Sequence, residues 1–204
     1  MSVDIARQAQ MRLLVEQINA AMKSFAPEYI TDPAKAIYRF YRDTRFSKDK
    51  SPYKTQIAAS FHHRWTPEGA GFYFSVSHKE LAVGGGIYMP SPETLRAVRA
   101  HMADHHREFR RIVKTAAVRQ LFGDLQGEQL SRTPKGYAPE HPAADLLRYK
   151  QYLLYIELPP QLATTPGVHG EIVQHFRAMT PFLNFLNAPL RRQAKKIDAR
   201  ELLG

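Results

Sequence analysis

The sequence predicts an α+β fold, an antiparallel sheet of about four strands flanked by helices, with further helices at both ends. Three observations lead there. Short runs rich in β-branched and aromatic residues follow one another between Thr55 and Met89 with only brief connections, which favours antiparallel neighbours. A fourth such run, from Gln151 to Leu158, stops at Pro159-Pro160. The stretches on either side carry apolar residues at three- and four-residue spacing, the period of helices that cover a sheet face.

The elements follow in order. A first helix over about Val3–Ser24 presents Met11, Leu14, Ile18 and Met22, continued by Phe25, as one stripe. Asp32 caps a second helix with Pro33 in its first turn, running to about Tyr41 and placing Arg39 and Arg42 on a shared face. The three strands read as TQIAASF from Thr55, GFYFSVSH from Gly71 and AVGGGIYM from Ala82. Ser91-Pro92 opens a helix with Leu95, Val98 and Met102 inward, and a further helical segment carries Phe109, Ile112, Val113 and Leu121 before Gly123. A polar loop spans Asp124 to Pro142. After the fourth strand, Ile172, Val173, Phe176, Met179, Leu183 and Leu186 mark a last helix, interrupted at Pro181. A single domain over residues 1–204 is expected, with a basic helical tail from 191 to 204.

Composition narrows the function classes. Hydrophobic residues at 44% and charged residues at 24% are globular values, and no apolar run approaches the roughly eighteen residues of a membrane span, so no membrane partner is expected. Asp4 and Arg7 stand where a secretory signal needs a continuous apolar core, which points to the cytoplasm. The absence of cysteine excludes a disulfide framework, thiolate zinc and a thiol nucleophile. A net charge of +10 favours encounter with polyanions: nucleic acid, anionic surfaces or phosphorylated metabolites.

The densest chemistry lies between Arg39 and Lys54, where six cations and two aspartates interleave with four aromatic rings. Arg39, Arg42, Arg45, Lys50 and Lys54 supply fixed positive charge, and the guanidinium fork matches phosphate or carboxylate bidentately. Asp43 and Asp49 are placed to orient those forks, and Pro52 stiffens the turn that presents Tyr53 and Lys54. The same residues also admit an architectural reading, in which Arg42 with Asp43 and Arg45 with Asp49 pin a helix-to-strand connection over the sheet.

Other segments add candidates. Gly84–Gly86 fits neither a dinucleotide loop nor a Walker loop and reads as a strand open to close approach, with the Tyr88 hydroxyl at its end. The loop carrying Lys135, Tyr137 and His141, with Lys150 beyond, is shaped by Pro134, Gly136 and Pro142 and is a candidate to close over the first motif. His141 is the acid–base candidate, since imidazole titrates near neutrality. His101 and His105 share a helix face but bring no third ligand, so neither a metal nor a cofactor is expected. His62-His63 beside Trp65 reads as a strand-end loop.

These pieces resemble a known family. Arg39-x-x-Arg42-Asp43-x-Arg45-Phe46, followed by Asp49-Lys50-x-Pro52-Tyr53-Lys54-Thr55, looks like the signature of the domain-of-unknown-function 2461 family. Gly84 to Pro90, Arg132-x-Pro134-Lys135-Gly136-Tyr137, His141-Pro142 and Lys150 are similar in order, so that the likeness runs from about Pro27 to Leu190. The resemblance supports the fold and carries over no catalytic residue, because the family is known as conserved proteins of undetermined activity. Two functional classes remain. One is a binding protein or enzyme that holds a small phosphorylated or carboxylated ligand in a basic, aromatic-lined pocket. The other is a nucleic-acid-associated or scaffold protein, its contacts made by Arg191, Arg192, Lys195, Lys196 and Arg200, with no sequence-reading motif to accompany them.

Overall fold

The computed structural model describes residues 3–38 and 56–201, with side chains over 7–38 and 56–191. Helix α1 (Val3–Met22) leads to a short helix α2 (Pro33–Ala36), then strands β1 (Gln56–His63), β2 (Thr66–Ser77) and β3 (Leu81–Ile87). Helices α3 (Pro92–Val113), α4 (Ala116–Phe122) and α5 (Ala144–Leu147) follow, and strand β4 (Tyr152–Leu158) and the long helix α6 (Val168–Glu201) complete the order. The four strands form one antiparallel sheet in the order β1-β2-β3-β4, as the short connections predict.

One face of the sheet is apolar. Phe61, Phe72, Phe74, Val83 and Leu154 alternate inward along their strands and are fully buried. Helix α6 lies across β2 and β3 and is itself backed by α1 and α3. Its Phe176 ring stacks on Phe72 at 4.5 Å between centroids and meets Phe61 edge-on at 5.6 Å. Met11, Val15, Ile18 and Met22 form the buried stripe of α1, while Leu14 and Phe25 are only half-buried. Among the described residues no helix is long and apolar enough to cross a membrane.

Five local expectations need correction. Helix α2 ends at Ala36, short of Tyr41, because Ile37 turns extended (φ −81°, ψ 126°) and bridges Ala59, and the Tyr38 amide donates to the Ala58 carbonyl at 2.9 Å. Sheet pairing there overrides helix propensity. Strand β2 starts at Thr66, five residues before Gly71, since Thr66 already pairs with His63 across a bulge. His62 and His63 therefore belong to β1, and His63 is buried. The helix opened by Ser91-Pro92 carries Phe109 and Ile112 as well, running through a local kink at His105 (φ −119°, ψ 22°) to Val113, and Thr115 then caps a separate α4. Pro181 does not interrupt α6. Met179, Phe182, Leu183, Phe185 and Leu186 are buried on both sides of it, so packing holds the turn that proline weakens, and the Thr180 hydroxyl donates to the Phe176 carbonyl at 2.8 Å.

A buried polar joint fastens α6 to β2. Asn187, fully buried, accepts from the Ala70 amide at 2.8 Å through Oδ1 and donates through Nδ2 to the Ala70 carbonyl and the Tyr29 hydroxyl, both at 2.9 Å. Tyr29 donates onward to Asn184 Oδ1 at 3.2 Å, and its ring stands edge-on to His63 at 5.0 Å.

Candidate functional site

The alternation that sends phenylalanines to α6 sends small and polar residues to the opposite face. Two rows cross that face in register: Ser60, Tyr73, Gly84 and Tyr155, then His62, Gly71, Gly86 and Leu153. Over them opens a cleft of about 970 Å³. Its floor is bare peptide at Gly71, Gly84 and Gly86, and Tyr38, Tyr73, Tyr88 and Tyr155 stand around it. Gly86 has φ +136°, and a Cβ there would run into the Tyr152 carbonyl, so glycine is required. At Gly84 a Cβ would come within 2.9 Å of the Tyr155 ring, which therefore leans over the floor.

Each wall residue has a defined state. His62 Nε2 lies 2.9 Å from the Ser60 hydroxyl. Burial in the cleft pushes the His62 imidazole below its ordinary value, against a backbone hydrogen bond at Pro67 that raises it. The Tyr73 hydroxyl accepts from Gln56 Nε2 at 3.1 Å, and its ring centroid is 6.4 Å from that of Tyr38. The Tyr155 phenol is pushed up to about 12, first by burial and then by Glu157, Glu80 and Tyr73, so it remains a hydrogen-bond donor. Gln126 bridges the outer edge of β4 and donates to the Tyr155 carbonyl at 2.8 Å. At the mouth Tyr88 and Met89 are 69% and 76% exposed, and Met89 holds a left-handed φ of 46°. A methionine in that region is backbone strain of the kind that collects at binding sites. Among the described lining residues Glu68 carries the one carboxylate and no lysine or arginine contributes.

The residues singled out from sequence divide into three groups. Arg39, Arg42, Asp43, Arg45, Asp49, Lys50, Tyr53 and Lys54 lie outside the described residues. Tyr88 lines the cleft. Tyr137, His141 and Lys150 lie elsewhere: the Tyr137 and His141 rings are 6.1 Å apart, and His106 of α3 is 6.4 Å from His141. His141 Nδ1 accepts from the Ala143 amide at 3.0 Å, just before α5. Lys150 pairs with Glu128 at 3.2 Å, and Lys135 is exposed. His101 and His105 approach ring to ring at 4.5 Å, with Phe185 4.5 Å from His101.

Sequence reasoning missed His62, Glu68, Tyr73, Gln126 and Tyr155. The signal was present for three of them, since His62, Tyr73 and Tyr155 occupy the alternate positions of strands whose intervening residues are apolar. Glu68 and Gln126 had none, because their place depends on the early start of β2 and on an isolated bridge.

A smaller cleft of about 330 Å³ at the end of α3 gathers Arg110, Lys114, Arg119 and Arg148 with Asp124 and Asp145. Arg110 grips Asp145 through both terminal nitrogens at 2.6 and 3.0 Å. Although burial raises the Asp145 carboxyl, the hydrogen bonds and charge of Arg110 leave it below its ordinary value. Arg119 pairs with Asp124.

The sheet, covered by α6 on one face and, among the described residues, lined by glycines and tyrosines at the cleft on the other, defines an α+β protein. The chain belongs to the family of conserved hypothetical proteins DUF2461, whose model matches residues 5–185. No curated protein and no solved structure matches it.

Proposed function

We propose that the protein binds a small phosphorylated or carboxylated ligand, with the cations of segment 39–55 gripping the anionic group at the cleft. The observation that carries this reading is where that segment is tied. Tyr38, which precedes it, lines the cleft, and Gln56, which follows it, hydrogen-bonds the Tyr73 wall. Arg42, Arg45, Lys50 and Lys54 serve as the clamp, with Arg39 beside them. Asp43 and Asp49 orient the guanidinium groups, and Tyr53 and Tyr88 shape the site. His141 is not among the described residues that line the cleft, and its Nδ1 accepts from the Ala143 amide.

The test is thermal unfolding of the wild type and Arg45→Ala against phosphorylated metabolites, dicarboxylates, nucleotides and short oligonucleotides. A ligand at about a hundred times its Kd adds roughly 2.7 kcal/mol, a rise of several degrees. One small anion stabilising the wild type and not the variant is the expected outcome. Stabilisation by oligonucleotides alone, salt-sensitive and equal in both proteins, would instead assign binding to the basic tail.

A further inference from the structure

The smaller cleft, of about 330 Å³ at the end of α3, carries more positive charge than its own carboxylates neutralise. Arg110, Lys114, Arg119 and Arg148 line it together with Asp124 and Asp145. Arg110 holds Asp145 and Arg119 holds Asp124, one carboxylate to one arginine. Lys114 and Arg148 are left over, and among the described residues neither forms an ion pair. The Arg148 Nε–H is buried and, among the described residues, has no hydrogen-bond partner. A buried donor left unpaired is costly, and an anion in the cleft is the acceptor that would satisfy it. The backbone that presents this guanidinium is pinned, since the Arg148 carbonyl accepts from the Leu130 amide at 2.8 Å.

Lys114 has a competing role, which is to offset the carbonyls at the C-terminus of α3. Two of those carbonyls already have partners: the Lys114 amide donates to Arg110 at 3.1 Å, and the Thr115 amide and hydroxyl donate to Ile112 at 3.2 and 3.0 Å. That role also says nothing of Arg148, which reaches the cleft from the end of α5. Two uncompensated cations match a phosphate monoester, which carries about −1.5 to −2 near neutrality and accepts from guanidinium and ammonium together. The rest of the wall is apolar, formed by Val113, Leu125, Leu146 and the Tyr149 ring, whose hydroxyl donates to the Leu125 carbonyl at 3.3 Å. Such a wall takes a small hydrophobic body beside the charge.

We infer that this cleft is a second anion site, which takes the phosphate monoester of a small, partly apolar molecule and holds it through Lys114 and Arg148. It shares no described lining residue with the glycine-floored cleft and does not rest on the function proposed above.

The experiment is an NMR titration of the full chain that follows the Arg148 Nε–H signal and the amides of Gln129 and Tyr149. The probes are inorganic phosphate, phenyl phosphate, a short single-stranded oligonucleotide without terminal phosphates, and sodium chloride at matched ionic strength. Inorganic phosphate is expected to shift these signals, and phenyl phosphate to do so at lower concentration. Lys114→Gln and Arg148→Gln each weaken binding by about tenfold, read from the two amides. Lys79→Gln, which removes an exposed lysine between β2 and β3, and Arg45→Ala leave it unchanged. Lys114 is exposed, so its variant keeps the fold, and unchanged amide signals away from the cleft check this. Equal shifts with chloride, or wild-type affinity in Lys114→Gln, would overturn the site and leave Lys114 serving the end of α3 alone. An oligonucleotide that acts at lower concentration than phenyl phosphate would overturn the monoester in favour of a polyanion surface. Cleft signals that stay still while phosphate raises the unfolding temperature through Arg45 would sink this site and leave the earlier reading standing.

Discussion

Asn187 and Ala70 meet from positions far apart in the chain, and the side chain of one satisfies both backbone groups of the other. Replacing Asn187 with alanine leaves the Ala70 amide and carbonyl and one Tyr29 contact unpaired in a dry interior, where an unsatisfied group costs about 1–3 kcal/mol. Asn187→Ala is therefore expected to lower stability by roughly 3 kcal/mol, read from the urea midpoint. Sequence inspection finds Tyr88 because it is large and ends an apolar run. It passes over Asn187, a polar residue in an apolar helix whose partners come from β2 and from the turn at Tyr29. The same blindness hid the cleft walls: apolar spacing marks what faces α6, while His62, Tyr73 and Tyr155 occupy the positions between.

At the scale of elements, strands and their antiparallel pairing were legible because short connections leave few other arrangements. Boundaries were less so wherever pairing partners decide them. Ala36 ends α2 because Ile37 finds Ala59, and Thr66 starts β2 because it finds His63. The continuity of α6 through Pro181 follows the same logic, since burial of Phe182 and Leu183 outweighs the missing hydrogen bond. Proline is about 3 kcal/mol worse than alanine inside a helix. Pro181 is exposed, so Pro181→Ala restores an amide without disturbing the core. We expect a gain of about 1–2 kcal/mol in urea denaturation, with the helix signal in circular dichroism preserved or raised.

For the molecule as a whole, acid should act through the buried end of β1. Burial, then the charge of Arg191, holds the His63 imidazole below its ordinary value. The unfolded chain therefore takes up this proton first as pH falls through about 6.5, and stability drops in that window. Above it the ring is neutral in both states and adds no slope. One such group contributes at most about 1.4 kcal/mol per pH unit. Urea midpoints at pH 5 and pH 7.5 are expected to differ in the wild type and to differ less in His63→Gln; equal slopes would remove His63 as the cause. The architecture was readable at this scale, since four strands and apolar helices leave few layered solutions. Which helix crosses the sheet was not, because α1, α3 and α6 all carry apolar stripes and only packing chooses among them.

That choice has a cost during synthesis. Phe61, Phe72 and Phe74 leave the ribosome long before Phe176 and Leu186, which cover them. At about 5–20 residues per second, the nascent sheet spends on the order of ten seconds with its aromatic face bare. The contacts between α6 and the sheet join segments far apart in the chain, so that apolar face is open to misassembly until α6 docks.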